Sequence, residues 1–163
     1  MKEMLSTYQN LTEDKETAQA IWRYITHSIE EVGRNDILQN PTVLDIGGGV
    51  GEFSKNLNSE GINCVSLDIK NLELNSGANQ IVANANKMPF VDESFSIVHG
   101  RGIFDKKLYP NYHSYLLKEI ARVLKTKGIL SVYDATPPNN KDLEKYFKIL
   151  NSDREYPTLW EKK

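Results

Sequence analysis

Three consecutive glycines, Gly47 to Gly49, stand directly behind the apolar run Val43 to Ile46, and Gly51 follows two residues later. From Glu52 to Glu60 the pattern turns helical, with Phe53 and Leu57 facing inward and Gly61 where a helix commonly stops. A chain that passes from strand to helix through so few side chains must turn tightly, and its bare backbone can approach a ligand. In an open α/β sheet, the carboxyl end of the first strand is where ligands bind. The stretch VLDIGGGVGEF therefore constrains fold class and site together, provided that the rest of the chain supplies further strands and helices in alternation.

It does. Ala18, Ile21, Trp22, Ile25, Ile29 and Val32 recur at three- and four-residue steps and predict a helix over 10–34, with Asn10 and Glu13 as its capping box. Further strands are expected at Ile62 to Leu67, Gln80 to Ala83, Phe95 to Val98 and Ile129 to Tyr133. Helices are expected at Tyr112 to Leu124 and Asn140 to Leu150, with a Lys-rich turn from Lys125 to Gly128. This alternation predicts a Rossmann-like, doubly wound α/β architecture on a mainly parallel sheet. One domain over residues 1–163 is expected, a helical cap over 1–34 and a core over 41–163. A chain of this length buries roughly two-thirds of its unfolded surface and needs no covalent staples.

Composition excludes several classes of function. Cys64 is the only cysteine, which rules out an internal disulfide framework and a multi-cysteine zinc site and suits a reducing cytoplasm. No metal site is expected. With 20 Lys and Arg against 22 Asp and Glu, no global positive field draws the chain to nucleic acid or to an acidic membrane. The opening MKEMLSTYQNLTEDKE lacks the apolar run of a signal peptide, and no long apolar segment reads as a membrane span, so the expected location is cytoplasmic.

Asp68 closes the second strand, in SLDIK, where a carboxylate can accept both hydroxyls of a ribose. A nicotinamide or flavin site offers the same glycine turn and acidic residue. The dinucleotide fingerprint, however, wants a glycine at the position of Glu52, where a carboxylate would repel a pyrophosphate. The spacing found is Gly47, Gly49, Gly51, with Asp45 two residues ahead, and that acidic approach suits a ligand with a cationic end.

The stretch LDIGGGVGEFS resembles the first motif of the class I S-adenosylmethionine-dependent methyltransferases. Three more stretches are similar to that family in order and spacing: SLDIK, ANANKMPFVDESFSIVHGRG and EIARVLKTKGILSVYD, which together span about residues 43–134. The resemblance implies S-adenosylmethionine as cofactor, with Gly47, Gly49 and Gly51 against its methionine portion and Asp45 near the amino group. It implies Asp68 on the ribose, Ile69 on one adenine face, and Asn84 and the Ala85 backbone at the adenine edge. Where the family often has Asp, Asn84 offers an amide oxygen without charge assistance. Gly100 and Arg101, in GRG, would meet the methionine amine and carboxylate. Ser96 departs from the family's usual acidic residue before the fourth strand.

The resemblance implies methyl transfer to a small-molecule acceptor; the alternatives are a catalytically silent cofactor-binding subunit or regulatory module and, more distantly, a nicotinamide-dependent oxidoreductase. Positioning alone supplies much of the catalysis of methyl transfer. If a base is used, His99 and Tyr8 are the candidates, although the plainer role of His99 is a histidine packed at a strand terminus; His113 reads as a surface residue at a helix start, and Arg101 and Phe104 are expected beside them near the methyl group. Tyr8 and Trp22 are also candidates for a lid, with helix packing as the plainer role of Trp22. The Asn/Asp-Pro-Pro-aromatic motif of the DNA-methylating members is missing from HGRGIF, which disfavours nucleic-acid bases as acceptors. Cys64 reads as a small packed hydrophobe. Finally, Asn151 to Lys163 is too short for the family's terminal antiparallel strand pair after a helix reaching Leu150, so the fold is expected to be truncated there. The fifth strand would then be an open edge, covered by Thr158 to Trp160, by a second copy in a homodimer, or by a partner subunit.

Overall fold

The computed structural model describes residues 15–70, 79–104, 113–133, 140–151 and 157–163. Ala18, Ile21, Ile25 and Ile29 form the buried face of α1, Lys15–Glu31. Gly33 ends it: at a φ of +74° it lets Arg34 N–H donate to the Ile29 carbonyl at 3.0 Å, while its own N–H donates to Glu30 at 2.9 Å. The expected capping box at Asn10 and Glu13 lies outside the described residues.

A 3-10 turn, Asn35–Leu38, leads into β1, Thr42–Ile46, and the glycine turn then opens α2, Glu52–Ser59. Gly61 stops α2 as Gly33 stops α1, with Ile62 N–H on the Leu57 carbonyl at 2.9 Å. The chain continues through β2 (Asn63–Asp68), β3 (Gln80–Val82) and β4 (Phe95–Arg101) to α3 (His113–Val123) and β5 (Leu124–Tyr133). A one-turn α4 (Asn140–Leu143), β6 (Phe147–Ile149) and β7 (Thr158–Lys162) complete it.

Among the described residues the sheet runs β3-β2-β1-β4-β5-β7-β6. The five strands from β3 to β5 are parallel, and β7 lies antiparallel between β5 and β6. Strand order reverses between β1 and β4, which opens a crevice at their carboxyl ends. Each face of the sheet is covered. Val43, Cys64, Ile97, Ile129 and Leu159 pack against α1 and against Phe53 and Leu57 of α2. Leu44, Val98, Leu130, Val132 and Trp160 pack against Leu116, Leu117, Ile120 and Val123 of α3. No described helix is long and apolar enough to cross a membrane.

Two expectations are corrected. The Lys125 to Gly128 turn is built into β5 as an irregularity, the pairing jumping from Phe95 with Leu124 to Ile97 with Ile129, and Lys127 takes a φ of +60°. More consequentially, the helix expected to reach Leu150 stops at Leu143, and Phe147 to Ile149 forms β6. The terminal strand pair is therefore present and the sheet is not truncated. Leu143, Phe147 and Leu150 fit a helical spacing, but extending this segment lets it pair with β7, and the ladder outweighs local preference. Asn151 closes the hairpin with its side chain, donating to the Pro157 carbonyl at 3.0 Å and accepting Leu159 N–H at 2.7 Å. β7 covers β5, the first of the three expected coverings, so the open edge that argued for self-association does not exist.

Candidate cofactor site

Left-handed backbone at Gly47, Gly49 and Gly51, with φ of +75°, +56° and +78°, folds the turn back over the ends of β1 and β2. Gly47 N–H donates to the Leu67 carbonyl at 2.7 Å, which ties the turn to β2. Gly48, which the spacing argument passed over, is more confined than Gly47 or Gly49. A Cβ there would stand 2.0 Å from Ser66 Oγ and 2.6 Å from Asp45 Oδ2. A Cβ on Gly49, by contrast, would meet nothing within 4 Å, so that residue opens outward.

Asp68 ends β2 beside this turn. Its Oδ2 accepts Gly49 N–H at 3.1 Å and its Oδ1 accepts Lys70 N–H at 2.9 Å. A carboxylate has about four acceptor positions, so two remain for a ligand. Asp68, Ile69, Gly47 and Ala85 line one cavity of about 140 Å³ with Ile46, Leu67, Ala83 and Ile103. Four of the expected site residues thus meet around one space. Ile69 is exposed at its rim, whereas Ala85 is buried. Asn84 sits next to the cavity lining, and its Oδ1 accepts Asn86 N–H at 2.9 Å, so its amide oxygen is already turning the loop.

On the β4 side, Gly100 pairs in register with Ile46. A Cβ on Gly100 would come within 2.5 Å of Ile103 and 3.1 Å of Phe104, so the chain beyond β4 folds back tightly over it. Arg101 follows, half-buried, at the end of the strand. Phe104 is fully buried in the core, which corrects its expected place beside an acceptor: its ring packs inward with α3.

Two residues below the turn, register aligns Ser66, Asp45, His99 and Ser131 across β2, β1, β4 and β5. Residues so aligned share a face. All four are buried, His99 to 2% exposure. Its Nδ1 lies 3.3 Å from Ser131 Oγ, and its ring lies 5.2 Å from Phe53, which covers the row from α2. Burial, with the Arg101 charge nearby, pushes the His99 pKa down to about 3, so the imidazole is neutral at ordinary pH. His99 is therefore packed inside the sheet-helix interface, the plainer of its two expected roles, rather than facing an acceptor. Tyr8 lies outside the described residues, as does the side chain of His113. Trp22 is set edge-on to Phe53 at 6.3 Å, a helix-packing contact. Cys64 is buried, and that burial raises its thiol pKa well above the ordinary value, as a packed hydrophobe requires.

Sequence reasoning missed Ser66, Ser131 and Gln80. The first two are polar residues at inward positions of apolar strands, in CVSLD and ILSVY, and that break in the alternation was the available signal. Gln80 reaches from β3 to the glycine turn, its Nε2 donating to the Gly49 carbonyl at 2.7 Å. Nothing local to the strand marks it.

The chain has similar proteins among curated sequences and solved structures. The chain is 28% identical over 130 residues to a sterol 4-C-methyltransferase of Caenorhabditis elegans, covering 71% of this chain and 38% of that one. It is 30% identical over 149 residues to the ubiquinone/menaquinone biosynthesis C-methyltransferase UbiE of Hahella chejuensis, covering 79% and 55%. The chain thus spans about half or less of the length of these relatives. A TehB-like SAM-dependent methyltransferase from Corynebacterium glutamicum has a similar fold, with a TM-score of 0.63 at 15% identity over 91% of this chain and 98% of that one. Residues 44–132, from β1 with its glycine turn through the site to β5, match the Methyltransferase domain family, and the chain belongs to that family, among the class I S-adenosylmethionine-dependent methyltransferases.

Proposed function

We propose that this chain binds S-adenosylmethionine at the β1–β4 crevice and transfers its methyl group to a small-molecule acceptor. The observation that carries this reading is Asp68, held at the cavity rim by two backbone N–H groups with acceptor capacity to spare, directly beside left-handed glycine backbone. In this reading Asp68 takes the ribose hydroxyls, Ile69 covers an adenine face, and Asn84 and the Ala85 backbone meet the adenine edge. Gly47, Gly49 and Gly51 admit the methionine portion, Asp45 biases the turn toward its amino group, and Gly100 and Arg101 bound it on the β4 side. When bound, the cofactor supplies an electrophilic methyl carbon on a sulfonium.

The chain's own contribution is then orientation. Holding donor and acceptor in line removes several kcal/mol of the barrier without proton transfer. No base is assigned to His99, because a neutral imidazole with a pKa near 3 takes up a proton poorly at pH 7. The two curated relatives are named for a sterol and for quinone biosynthesis, so apolar ring compounds are the acceptors to try first.

Transfer of a labelled methyl group from the cofactor into separate metabolite, protein and nucleic-acid pools tests the reading. Labelling of a small organic compound is expected. Labelling of RNA and of nothing small would contradict it, and cofactor binding with no transfer to any pool would favour a silent binding subunit.

A further inference from the structure

Gly49 is gripped at both ends of its backbone by side chains. Its N–H is held by Asp68 of β2 and its carbonyl by Gln80 of β3. The Gln80 amide orientation is fixed by chemistry, since only the NH₂ end can donate to a carbonyl. The cost of this arrangement is visible: Gln80 Oε1 is buried and has no hydrogen-bond partner among the described residues. A buried acceptor left unsatisfied is unfavourable, and an edge strand would lose nothing by carrying an apolar side chain there.

The restraint has a use. Gly49 has no side chain against it on its open side and takes a φ of +56°, so nothing in its own packing holds its peptide planes in place. Rotation of that backbone would move the N–H that Asp68 accepts, and with it the carboxylate.

We propose that Gln80 is a positioning residue for cofactor binding, a latch on the Gly49 carbonyl that fixes the glycine turn and, through Gly49 N–H, the orientation of Asp68. This rests on the function proposed above. Gln80 acts through Gly49 and touches no reacting atom.

The test is calorimetric titration of S-adenosylhomocysteine into wild type, Gln80→Met and Gln80→Glu across pH 5.5 to 8, with melting temperatures recorded alongside. Met removes the donor at similar volume. Glu aims a carboxylate at the carbonyl at high pH and restores a donor when protonated. Asp68 is the titratable group on the other side of the same residue, bonded to the preceding peptide, and wild type controls for it.

Expected are about tenfold weaker binding in Gln80→Met and a Gln80→Glu defect that shrinks as pH falls, each with a melting temperature close to that of wild type. Wild-type affinity in Gln80→Met, or a Gln80→Glu defect constant across pH, would overturn the latch while leaving the cofactor reading intact. Absence of binding in wild type would overturn both.

Discussion

Gly48 and Gly49 are neighbours of the same residue type that the structure holds for different reasons, and substitution separates them. Gly48→Ala drives a methyl group into Ser66 Oγ beneath the turn and is expected to cost roughly 2 kcal/mol or more in chemical denaturation. Gly49→Ala meets open space and carries only the strain of a positive φ, about 1 kcal/mol. His99 gives a second prediction at this scale. The folded protein keeps it neutral to about pH 3, whereas the unfolded chain protonates it below its ordinary pKa of 6.5. Its contribution to stability is therefore complete above that pKa and is lost as pH falls through it toward 3, at about 1.4 kcal/mol per pH unit. Denaturation midpoints at pH 7 and 5.5 should show wild type losing about 1 kcal/mol that His99→Asn does not lose. What could be read locally at this scale was the glycine turn, Asp45 and Asp68, because each is marked by its place against a strand. Ser66 and Ser131 showed locally only as breaks in apolar strands, whereas their alignment with Asp45 and His99, and the reach of Gln80 to Gly49, come from strands distant in sequence.

The strand ends carry the site, but the loop from Asn84 to Glu93 is held by a helix. Arg122 of α3 uses all five guanidinium N–H groups. Nε and Nη2 meet the two oxygens of Glu119, Nη2 also meets the Met88 carbonyl, and Nη1 meets the Phe90 carbonyl at 2.7 Å and Asp92 at 2.9 Å. Glu119 returns to the loop by accepting Met88 N–H at 2.8 Å. The bond to Glu119 and that to Asp92 raise the Arg122 pKa, and Glu119 is correspondingly held below the usual carboxylate range. Arg122→Lys keeps the charge but cannot reproduce the fork. It is expected to speed hydrogen exchange at the Met88 and Glu93 amides by at least about tenfold while exchange in β1 is unchanged. The helices and parallel strands were legible because their periods differ. The segment from Asn140 to Leu150 was not, because its apolar residues satisfy the helical period and its pairing partner, β7, lies further along the chain.

For the whole molecule, the antiparallel pair β6 and β7 determines which strands are edges. With β7 in place, Trp160 and Leu159 are buried and β5 is interior. A chain ending at Asn151 would expose β5 along its length, so it is expected to aggregate or to melt well below the full chain, as light scattering during a thermal ramp would show. Equal melting without scatter would mean that β7 contributes little. The proposed function depends on cofactor capture at the switch point of the sheet. The most direct measurement is a calorimetric titration of S-adenosylhomocysteine into wild type and Asp68→Ala. A charged acceptor contributes about 1.5 to 3 kcal/mol per hydrogen bond, so saturable one-to-one binding by wild type and a loss of affinity of at least about tenfold in the variant are predicted. No binding by wild type, or equal affinity in the two, would contradict the site described.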